Sequence, residues 1–296
     1  MGSEEEKPEI SPDMAKAMKD RLRLAENMEK IKHKLVIMSG KGGVGKSTIA
    51  ANLACILAKN NRVGLLDADI TGPDIPMIMG IEGLSPRVVD NRIEPIGGPL
   101  GIKVISMGQL LPSRDAAVVW RGPMKMAALR QFLSDVIWGS LDYLIIDLPP
   151  GTSDEPLSIA QEIPEATGAI IITTPQELSL LDVRKSINFS NAVKLHVLGI
   201  IENMSGFTCP KCGYQVSLFK KGGGKKAAKE MKIPFLGSIP IDQDVVVGGD
   251  AGKPFVLENP DSETNKAFMK VVKKIEKEIA NIKQKPKFKP VGSQEA

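Results

Sequence analysis

A glycine-rich loop directly after a short apolar run is the feature that most constrains how this 296-residue chain can fold. The run at 35–38 is followed by GKGGVGKST at 40–48, which fits the phosphate-loop pattern GxxxxGK[ST]. Such a loop joins a strand to a helix, because its backbone N–H groups and the positive helix N-terminus together surround a phosphate. The sequence therefore predicts a strand, this loop and a helix at the start of a nucleotide-binding sheet.

Seven short apolar runs alternate with helix-length segments along the chain. Most runs are apolar on both faces, which is typical of parallel strands covered on both sides. With only 4% aromatic residues, the core must be built from aliphatic side chains and methionine. We predict an α/β fold with one doubly covered, mainly parallel sheet. Strands are expected at 35–38, 63–66, 104–107, 143–146, 169–172, 197–201 and 235–237, and helices near 46–59, 123–137, 155–163, 178–195, 222–231 and 261–283.

Three regions are predicted: an acidic N-terminal extension with a helix at 1–33, one ATPase domain at 34–283, and a disordered basic tail at 284–296. The net charge of +4 is uneven, since 266–289 holds nine lysines and two glutamates. The body is not basic, so we expect no stable nucleic-acid binding. No apolar run approaches the roughly 20 residues of a membrane helix, and the acidic start excludes a secretory signal. We expect a cytoplasmic protein without membrane association.

The loop residues suit the binding of ATP with Mg²⁺. Lys46 is expected to contact the β- and γ-phosphates, Ser47 to ligate Mg²⁺, and Thr48 to donate to the α-phosphate. The whole loop is predicted to bind the nucleotide: Gly40, Lys41, Gly42, Gly43, Val44, Gly45, Lys46, Ser47 and Thr48.

A second lysine, Lys41, distinguishes this loop from a plain phosphate loop. With it the sequence resembles the deviant Walker A class of P-loop NTPases, which includes MinD, ParA and the nitrogenase iron protein. The resemblance implies a homodimer in which Lys41 reaches across the interface to the partner's nucleotide. A cation beside the γ-phosphate stabilises the charge that develops in phosphoryl transfer. Lys41 and Lys46 are therefore predicted to be catalytic.

Two predicted strand ends carry the carboxylates that such an ATPase needs. The segment DADITGP resembles switch I of the class, which assigns Asp69 to orient or activate the attacking water and Asp67 to support the Mg²⁺ water shell. The segment IIDLPPGT resembles Walker B with switch II, which assigns Asp147 to hold Mg²⁺ through water and the Gly151 backbone to sense the γ-phosphate. The same resemblance assigns adenine binding to three later residues: Asn203, Pro240 and Asp242.

A Cys-x-x-Cys-Gly segment, with Cys209 and Cys212, presents two thiolates to one metal centre. Cys55 lies at an apolar position of a predicted helix and is expected in the core. One chain thus offers two ligands where metal sites usually need four, and two-fold symmetry can bring two pairs together. Soft thiolates permit an iron-sulfur cluster or zinc, and a redox dithiol is a third reading. The spacing does not separate iron-sulfur from zinc.

Family resemblance favours an iron-sulfur cluster over zinc at these cysteines. Six segments together resemble the Mrp (ApbC) family of iron-sulfur cluster carrier ATPases: SGKGGVGKST, LLDADITGPDIP, VVWRGPM, DYLIIDLPPGTSDEP, ENMSGFTCPKCG and GSIPID. The resemblance implies a labile [4Fe-4S] cluster that bridges two subunits through Cys209 and Cys212, its transfer to apo iron-sulfur acceptor proteins, and slow ATP hydrolysis. Residues 1–33 contain no cysteine, so no N-terminal cluster is expected.

Two other functions stay open at this point. A positioning ATPase like MinD or ParA would use a structural zinc site at the dimer interface and bind DNA or a membrane surface. The apolar stripe of the predicted last helix fits a membrane surface, but equally fits packing on a sheet. An electron-donating reductase is disfavoured, because in the nitrogenase iron protein the cluster cysteines lie far apart in sequence.

Overall fold

The computed structural model describes residues 12–110, 122–152, 154–209, 211–216 and 221–284. The helices are α1 (Pro12–Glu29), α2 (Lys46–Ala58), α3 (Ile75–Ile78), α4 (Gly122–Asp135), α5 (Asp154–Glu162), α6 (Glu177–Ala192), α7 (Gly223–Glu230), α8 (Gln243–Asp250), α9 (Phe255–Glu258) and α10 (Glu263–Gln284). The strands are β1 (Ile31–Ser39), β2 (Val63–Asp67), β3 (Arg87–Val89), β4 (Arg92–Glu94), β5 (Ile96–Gly97), β6 (Lys103–Ser106), β7 (Leu141–Asp147), β8 (Gly168–Thr173), β9 (Val197–Glu202), β10 (Phe207–Thr208), β11 (Gln215–Val216) and β12 (Phe235–Ser238).

One eight-stranded sheet, in the order β12-β9-β8-β1-β7-β2-β6-β5, forms the centre of the molecule. Seven of its strands are parallel, and these are the seven predicted from the apolar runs. Only β5, at one edge, pairs antiparallel. The predicted fold class, a doubly covered and mainly parallel α/β sheet, is confirmed.

Each face of the sheet is covered by helices, so the core divides into two aliphatic layers. Along β1, Val36 and Met38 face one layer while Leu35 and Ile37 face the other, as the two-residue strand period requires. The first layer is closed by α1, α4, α5, α6 and α7, and the second by α2, α3, α8, α9 and α10. The parallel order brings the carboxyl ends of the strands to one edge, where the phosphate loop lies.

The last helix packs on the sheet with its apolar stripe. Phe268 and Ile275 are fully buried, and Val271, Val272 and Ile279 are no more than 5% exposed. Burial of each such side chain stabilises the fold by up to about 1.5–3 kcal/mol, so this face is committed to the core. Among the described helices, none is long and apolar enough to cross a membrane.

Several elements differ from the sequence expectations. The first strand begins at Ile31 rather than residue 35, directly after α1, which packs on α4. Two hairpins, β3–β4 and β10–β11, and three short helices, α3, α8 and α9, were not predicted. Residues 1–11, 118–121 of the segment VVWRGPM, and 285–296 of the predicted tail lie outside the described residues.

Candidate functional site

The phosphate loop connects β1 to α2, as predicted. Gly45 precedes α2 with φ of 78°, a left-handed conformation that glycine adopts without strain. A Cβ at Gly45 would lie 2.4 Å from Nδ2 of Asn203, and one at Gly40 would lie 2.5 Å from Cβ of Asp182 on α6. Glycine at these two positions therefore lets the loop pack closely against β9 and α6 while its N–H groups remain available to a phosphate.

Lys46 forms a buried ion pair with Asp147 at the end of β7. The distance from Nζ to Oδ1 is 2.7 Å, and the two side chains are 6% and 0% exposed. The same ammonium lies 3.4 Å from the Ser47 hydroxyl oxygen. The structure thus brings the predicted phosphate-binding lysine, Ser47 and Asp147 into contact at one point.

Asp67 and Asp147 are neighbours across β2 and β7. Burial, reinforced by the charge of Asp147, raises the pKa of Asp67 well above its usual range. Burial also raises the pKa of Asp147, and Lys46 opposes that rise. Asp67 is held by two donors, the Ser106 hydroxyl at 2.8 Å and the Asp69 backbone N–H at 3.1 Å. Two adjacent buried carboxyl groups share one contacting ammonium, so the site favours the uptake of a proton or of a further cation.

The oxygens of Asp147 fit a hard cation. Both are buried, and apart from the ion pair with Lys46 neither has a well-formed hydrogen bond within the described ranges. The Ser47 hydroxyl faces the same carboxylate. Carboxylate and hydroxyl oxygens beside a phosphate loop are the donors that Mg²⁺ prefers.

Asp69 lies just beyond β2 and is 6% exposed. Its Oδ1 accepts hydrogen bonds from the backbone N–H groups of Thr71, at 3.0 Å, and Gly72, at 3.2 Å. These bonds fix the carboxylate on the same strand edge as Asp67 and Asp147. Its assignment to the attacking water stays a prediction.

Two other predicted phosphate-sensing groups have partners within the chain. The Lys41 ammonium lies 3.5 Å from Oε1 of Gln176, which precedes α6. The Gly151 backbone N–H donates to the Ser39 carbonyl at 2.9 Å, so it must exchange this bond before it can contact a phosphate. Both residues lie beside the loop, and their roles stay predictions.

A cavity of about 320 Å³ lies beside the loop and contains the three residues predicted to bind adenine. Asn203 donates from Nδ2 to the Val44 carbonyl at 2.9 Å. Asp242 begins α8 by accepting from the Asp244 backbone N–H at 3.0 Å. Thr48, which was also predicted to bind the nucleotide, lines the same cavity. Residues of α3 and α8 line it too, and these were not predicted as nucleotide-binding residues. The lining includes Gly45, Thr48, Met77, Asn203, Pro240, Asp242, Val245 and Val246.

The cysteine pair lies in the turn between β10 and β11, which together we call the cysteine hairpin (residues 207–216). The Cys209 backbone N–H donates to the Tyr214 carbonyl at 2.9 Å, and the Gly213 N–H donates to the Cys209 carbonyl at 2.8 Å. Cys209 is half-buried and Cys212 exposed. The backbone N–H groups of Cys212 and then Lys211 lower the pKa of the Cys209 thiol. The hairpin therefore presents both sulfur atoms toward solvent, and the backbone donors favour the thiolate form of Cys209.

Cys55 has a different environment. It is fully buried in α2, and burial raises the pKa of its thiol to about 12. Within the described part of the chain, no three His, Cys, Asp or Glu side chains are grouped so as to hold a metal ion. The described chain thus offers Cys209 and Cys212 as two accessible sulfur ligands.

Sequence reasoning missed three polar residues that organise the site. Ser106 ends the β6 run and donates to Asp67. Gln176 faces Lys41. Glu202 ends β9 and is fully buried. A polar residue at the end of an apolar run was the available signal for Ser106 and Glu202, whereas Gln176 has none.

Similar proteins are known by sequence and by structure. The chain is 50% identical over 275 residues to an iron-sulfur cluster carrier protein of Methanocaldococcus jannaschii, with 92% of this chain and 94% of the relative covered. It is 49% identical over 255 residues to a protein of the same name from Saccharolobus solfataricus, with 86% of each covered.

The solved structures agree. A nucleotide-binding protein of Archaeoglobus fulgidus in complex with ADP, with cobalt found by PIXE, has a TM-score of 0.73 and 41% identity, and covers 84% of this chain and 96% of its own. The cell division ATPase MinD of Pyrococcus furiosus, at 24% identity and a TM-score of 0.62 over 83% of this chain and 98% of its own, shares the fold. The ParA family model described as "NUBPL iron-transfer P-loop NTPase" matches residues 30–276. The resemblance inferred from the motifs is thereby confirmed, and the chain belongs to this family of iron-transfer P-loop NTPases.

Proposed function

We propose that this protein is an ATP-dependent iron-sulfur cluster carrier that holds a [4Fe-4S] cluster between two copies of the chain and transfers it to apo-proteins. The observation that carries the proposal is the outward-facing Cys209–Cys212 pair on a P-loop NTPase. Relatives about 50% identical over most of the chain are named iron-sulfur cluster carrier proteins, and this supports the cargo we assign.

Cys209 and Cys212 supply two thiolates, whereas a [4Fe-4S] cluster is held by four. A two-fold axis through the site supplies the missing pair, because each residue then meets its own copy. A half-buried and an exposed thiol leave room for a second chain and for an acceptor protein. Adjacent free thiols persist in a reducing compartment, which supports a cytoplasmic location.

ATP binds with its phosphates on the loop and its base in the cavity bounded by Asn203, Pro240 and Asp242. Lys46 moves its contact from Asp147 toward the β- and γ-phosphates, and Thr48 donates to the α-phosphate. Ser47, with Asp147 and Asp67 behind it, holds Mg²⁺. The cation neutralises charge on the β- and γ-phosphate oxygens when bound.

Hydrolysis depends on groups that orient the attacking water and stabilise the transferred phosphoryl. Asp69, fixed by two backbone donors, orients the water. Lys41 leaves Gln176 and contacts the partner's γ-phosphate, so hydrolysis requires the dimer. We expect turnover to be slow and coupled to cluster loading or release.

The test is anaerobic reconstitution with iron and sulfide, followed by mixing with an apo-acceptor that gains activity on receiving a cluster. Wild-type protein should gain brown visible absorbance, contain about four irons per dimer as a Cys₄ cluster requires, and activate the acceptor. Cys209→Ala and Cys212→Ala should lose all three properties. Cys55→Ala is the matched control, since the same atom is removed from a buried thiol, and it should keep all three. Tight zinc that iron and sulfide cannot displace would sink the proposal and favour a structural zinc site.

The ATPase role is tested by two lysine variants. Lys46→Ala should lose ATP binding, because its ammonium contacts the phosphates directly. Lys41→Ala should bind ATP but neither hydrolyse it nor dimerise with it, as followed by nucleotide titration, phosphate release and light scattering. Unchanged hydrolysis in Lys41→Ala would remove the role across the interface.

A further inference from the structure

A buried carboxylate that the proposed ATP chemistry does not use lies between the nucleotide site and the cysteine hairpin. Glu202, the last residue of β9, is fully buried. Its Oε1 accepts from the Ser205 hydroxyl and from the Gly222 backbone N–H at 3.0 Å, and its Oε2 accepts from the Gly224 N–H at 2.7 Å. Ser205 precedes the hairpin in the chain, and the two glycines follow it. One carboxylate thus joins both ends of the segment that carries the cysteines.

Across the residues that the structure describes, the Glu202 carboxylate is stabilised by hydrogen-bond donors and not by an ion pair. No lysine or arginine forms an ion pair with Glu202 among the described residues, and the charge is met by a hydroxyl and by the first turn of α7. Backbone N–H groups at a helix N-terminus favour a negative charge. A buried carboxylate that loses such donors incurs a large desolvation penalty. The bonds to Gly222 and Gly224 therefore hold the start of α7 firmly against β9.

The same segment is also hydrogen-bonded to residues that line the nucleotide cavity. The Ser205 backbone N–H donates to the Ile239 carbonyl at 2.9 Å, and the Ile241 N–H donates to the Gly206 carbonyl at 2.8 Å. A β-bridge pairs Phe207 of the hairpin with Ile241. Ile239 and Ile241, like Pro240 between them, line the nucleotide cavity. The wall of the nucleotide cavity and the start of the cysteine hairpin are therefore joined in one hydrogen-bonded unit.

Glu202 and Asn203 point in opposite directions, as successive residues at a strand end do. Asn203 bonds the Val44 carbonyl of the phosphate loop, whereas Glu202 bonds the two ends of the hairpin segment. A displacement of this dipeptide on nucleotide binding must move both partners, because both side chains are buried and hydrogen-bonded.

We propose that Glu202 is a positioning residue that fastens the cysteine hairpin to the nucleotide pocket, so that nucleotide binding changes the accessibility of Cys209 and Cys212. The inference rests on the proposed function for its two ligands, ATP and the cluster. It assigns to Glu202 the link that lets one site influence the other.

The test measures alkylation of Cys209 and Cys212 by N-ethylmaleimide in the full-length, metal-free protein, read at each cysteine by mass spectrometry. Cys55 does not interfere, because it is fully buried and its thiol pKa is raised to about 12. Rates are compared with no nucleotide, with Mg·ADP and with a non-hydrolysable Mg·ATP analogue. In wild type the analogue should change the rate at least about fivefold, the lower range of measured couplings between sites.

Glu202→Gln keeps the shape of the side chain but puts an amide donor where an acceptor is needed. We expect the rates with and without nucleotide to become equal, while nucleotide affinity stays near wild type because Glu202 does not line the cavity. Glu230→Gln is the matched control: Glu230 lies on α7 and pairs with Arg184 at 2.6 Å, on an exposed surface. It should keep the wild-type response, which separates loss of coupling from a general effect on α7.

Ser205→Ala decides the question if Glu202→Gln does not fold, since it removes one donor only and should reduce the nucleotide response partly. A wild-type rate that nucleotide leaves unchanged, or a wild-type response in Glu202→Gln or Ser205→Ala, would overturn the proposal. Alkylation needs no iron. A protein that responds to nucleotide but takes up no cluster would therefore refute the cluster carrier and leave the link standing.

Discussion

Replacement of Lys46 by methionine tests how much the ion pair between Lys46 and Asp147 stabilises the protein when no nucleotide is bound. Methionine keeps the length of the side chain and removes the charge that lies 2.7 Å from the fully buried Asp147. Removal of one partner of a buried ion pair costs about 3–5 kcal/mol, because the other charge is left uncompensated. Since Asp147 can take up a proton, we expect the lower value. For a domain of this size, about 3 kcal/mol lowers the thermal midpoint by roughly 6–12 °C.

The assay is thermal unfolding of the metal- and nucleotide-free protein as a double-mutant cycle. Lys46→Met and Asp147→Asn should each destabilise the fold, and the double variant should recover at least about half of the summed loss. Lys32→Met is the matched control, because Lys32 also makes a 2.7 Å ion pair, with Asp142, but is 64% exposed. It should cost less than about 1 kcal/mol. Losses in the double variant equal to the sum of the single losses would refute the view that Lys46 and Asp147 stabilise each other.

The loss in Lys46→Met should also depend on pH. Burial raises the folded-state pKa of Asp147, and Lys46 opposes that rise, so the variant raises it further. A carboxyl whose folded pKa lies above its unfolded value destabilises the fold at high pH, and this penalty is relieved as the pH falls. The difference between wild type and Lys46→Met should therefore shrink from pH 8 to pH 5. A difference that grows toward low pH would contradict the assignment.

Two further substitutions test the packing of the loop and a surface charge cluster. Gly45→Ala should weaken nucleotide binding at least about tenfold, because Gly45 has φ of 78° and the new Cβ would lie 2.4 Å from Asn203. Gly72→Ala is the control and should not weaken binding, because there is open space around its Cβ. Titration with a fluorescent ATP analogue measures the affinity of both variants. Asp142 has its pKa held below the usual range by Lys32 first and then by the Arg62 backbone N–H, so Asp142→Asn should cost up to about 1 kcal/mol at pH 7. This cost should begin to shrink as the pH falls below about 4, and it should disappear only below the lowered folded-state pKa. A cost in denaturant unfolding that does not decrease between about pH 5 and pH 2 would exclude the ionic origin.

The central sheet could be predicted because its strands are buried on both faces, so their sequences are apolar without interruption. Local signals were weaker elsewhere. The helix α8 has the sequence QDVVVGGD, in which three valines and two glycines disfavour a helix. It forms because Asp242 caps it and is itself held by the Thr264 hydroxyl of α10 at 2.7 Å. That contact spans 22 residues and is set by the tertiary structure.

The β3–β4 hairpin has a local turn signal in its sequence, but the search for apolar runs did not detect it. Asp90 and Asn91 form its two-residue turn, with φ of 50° and 60°. Asp and Asn tolerate this left-handed conformation, and two such residues between β-branched runs favour a tight hairpin. For the candidate site, the motifs indicated which residues bind phosphate and metal. They did not indicate what holds those residues, since Ser106 and Glu202 act through partners 39 and up to 22 positions away.

The link through Glu202 also fixes how ATP and the cluster must influence each other. If an ATP analogue changes the affinity for the cluster by some factor, the cluster must change the affinity for the analogue by the same factor, because both follow from one coupling free energy. Titration of the analogue into cluster-free and cluster-loaded dimers should therefore give a ratio of at least about five, equal to the ratio found when cluster binding is titrated. In Glu202→Gln both ratios should fall to one together. If both ratios in Glu202→Gln stayed near the wild-type value, the coupling would run through other residues, and Glu202 would not be the residue that connects the two sites.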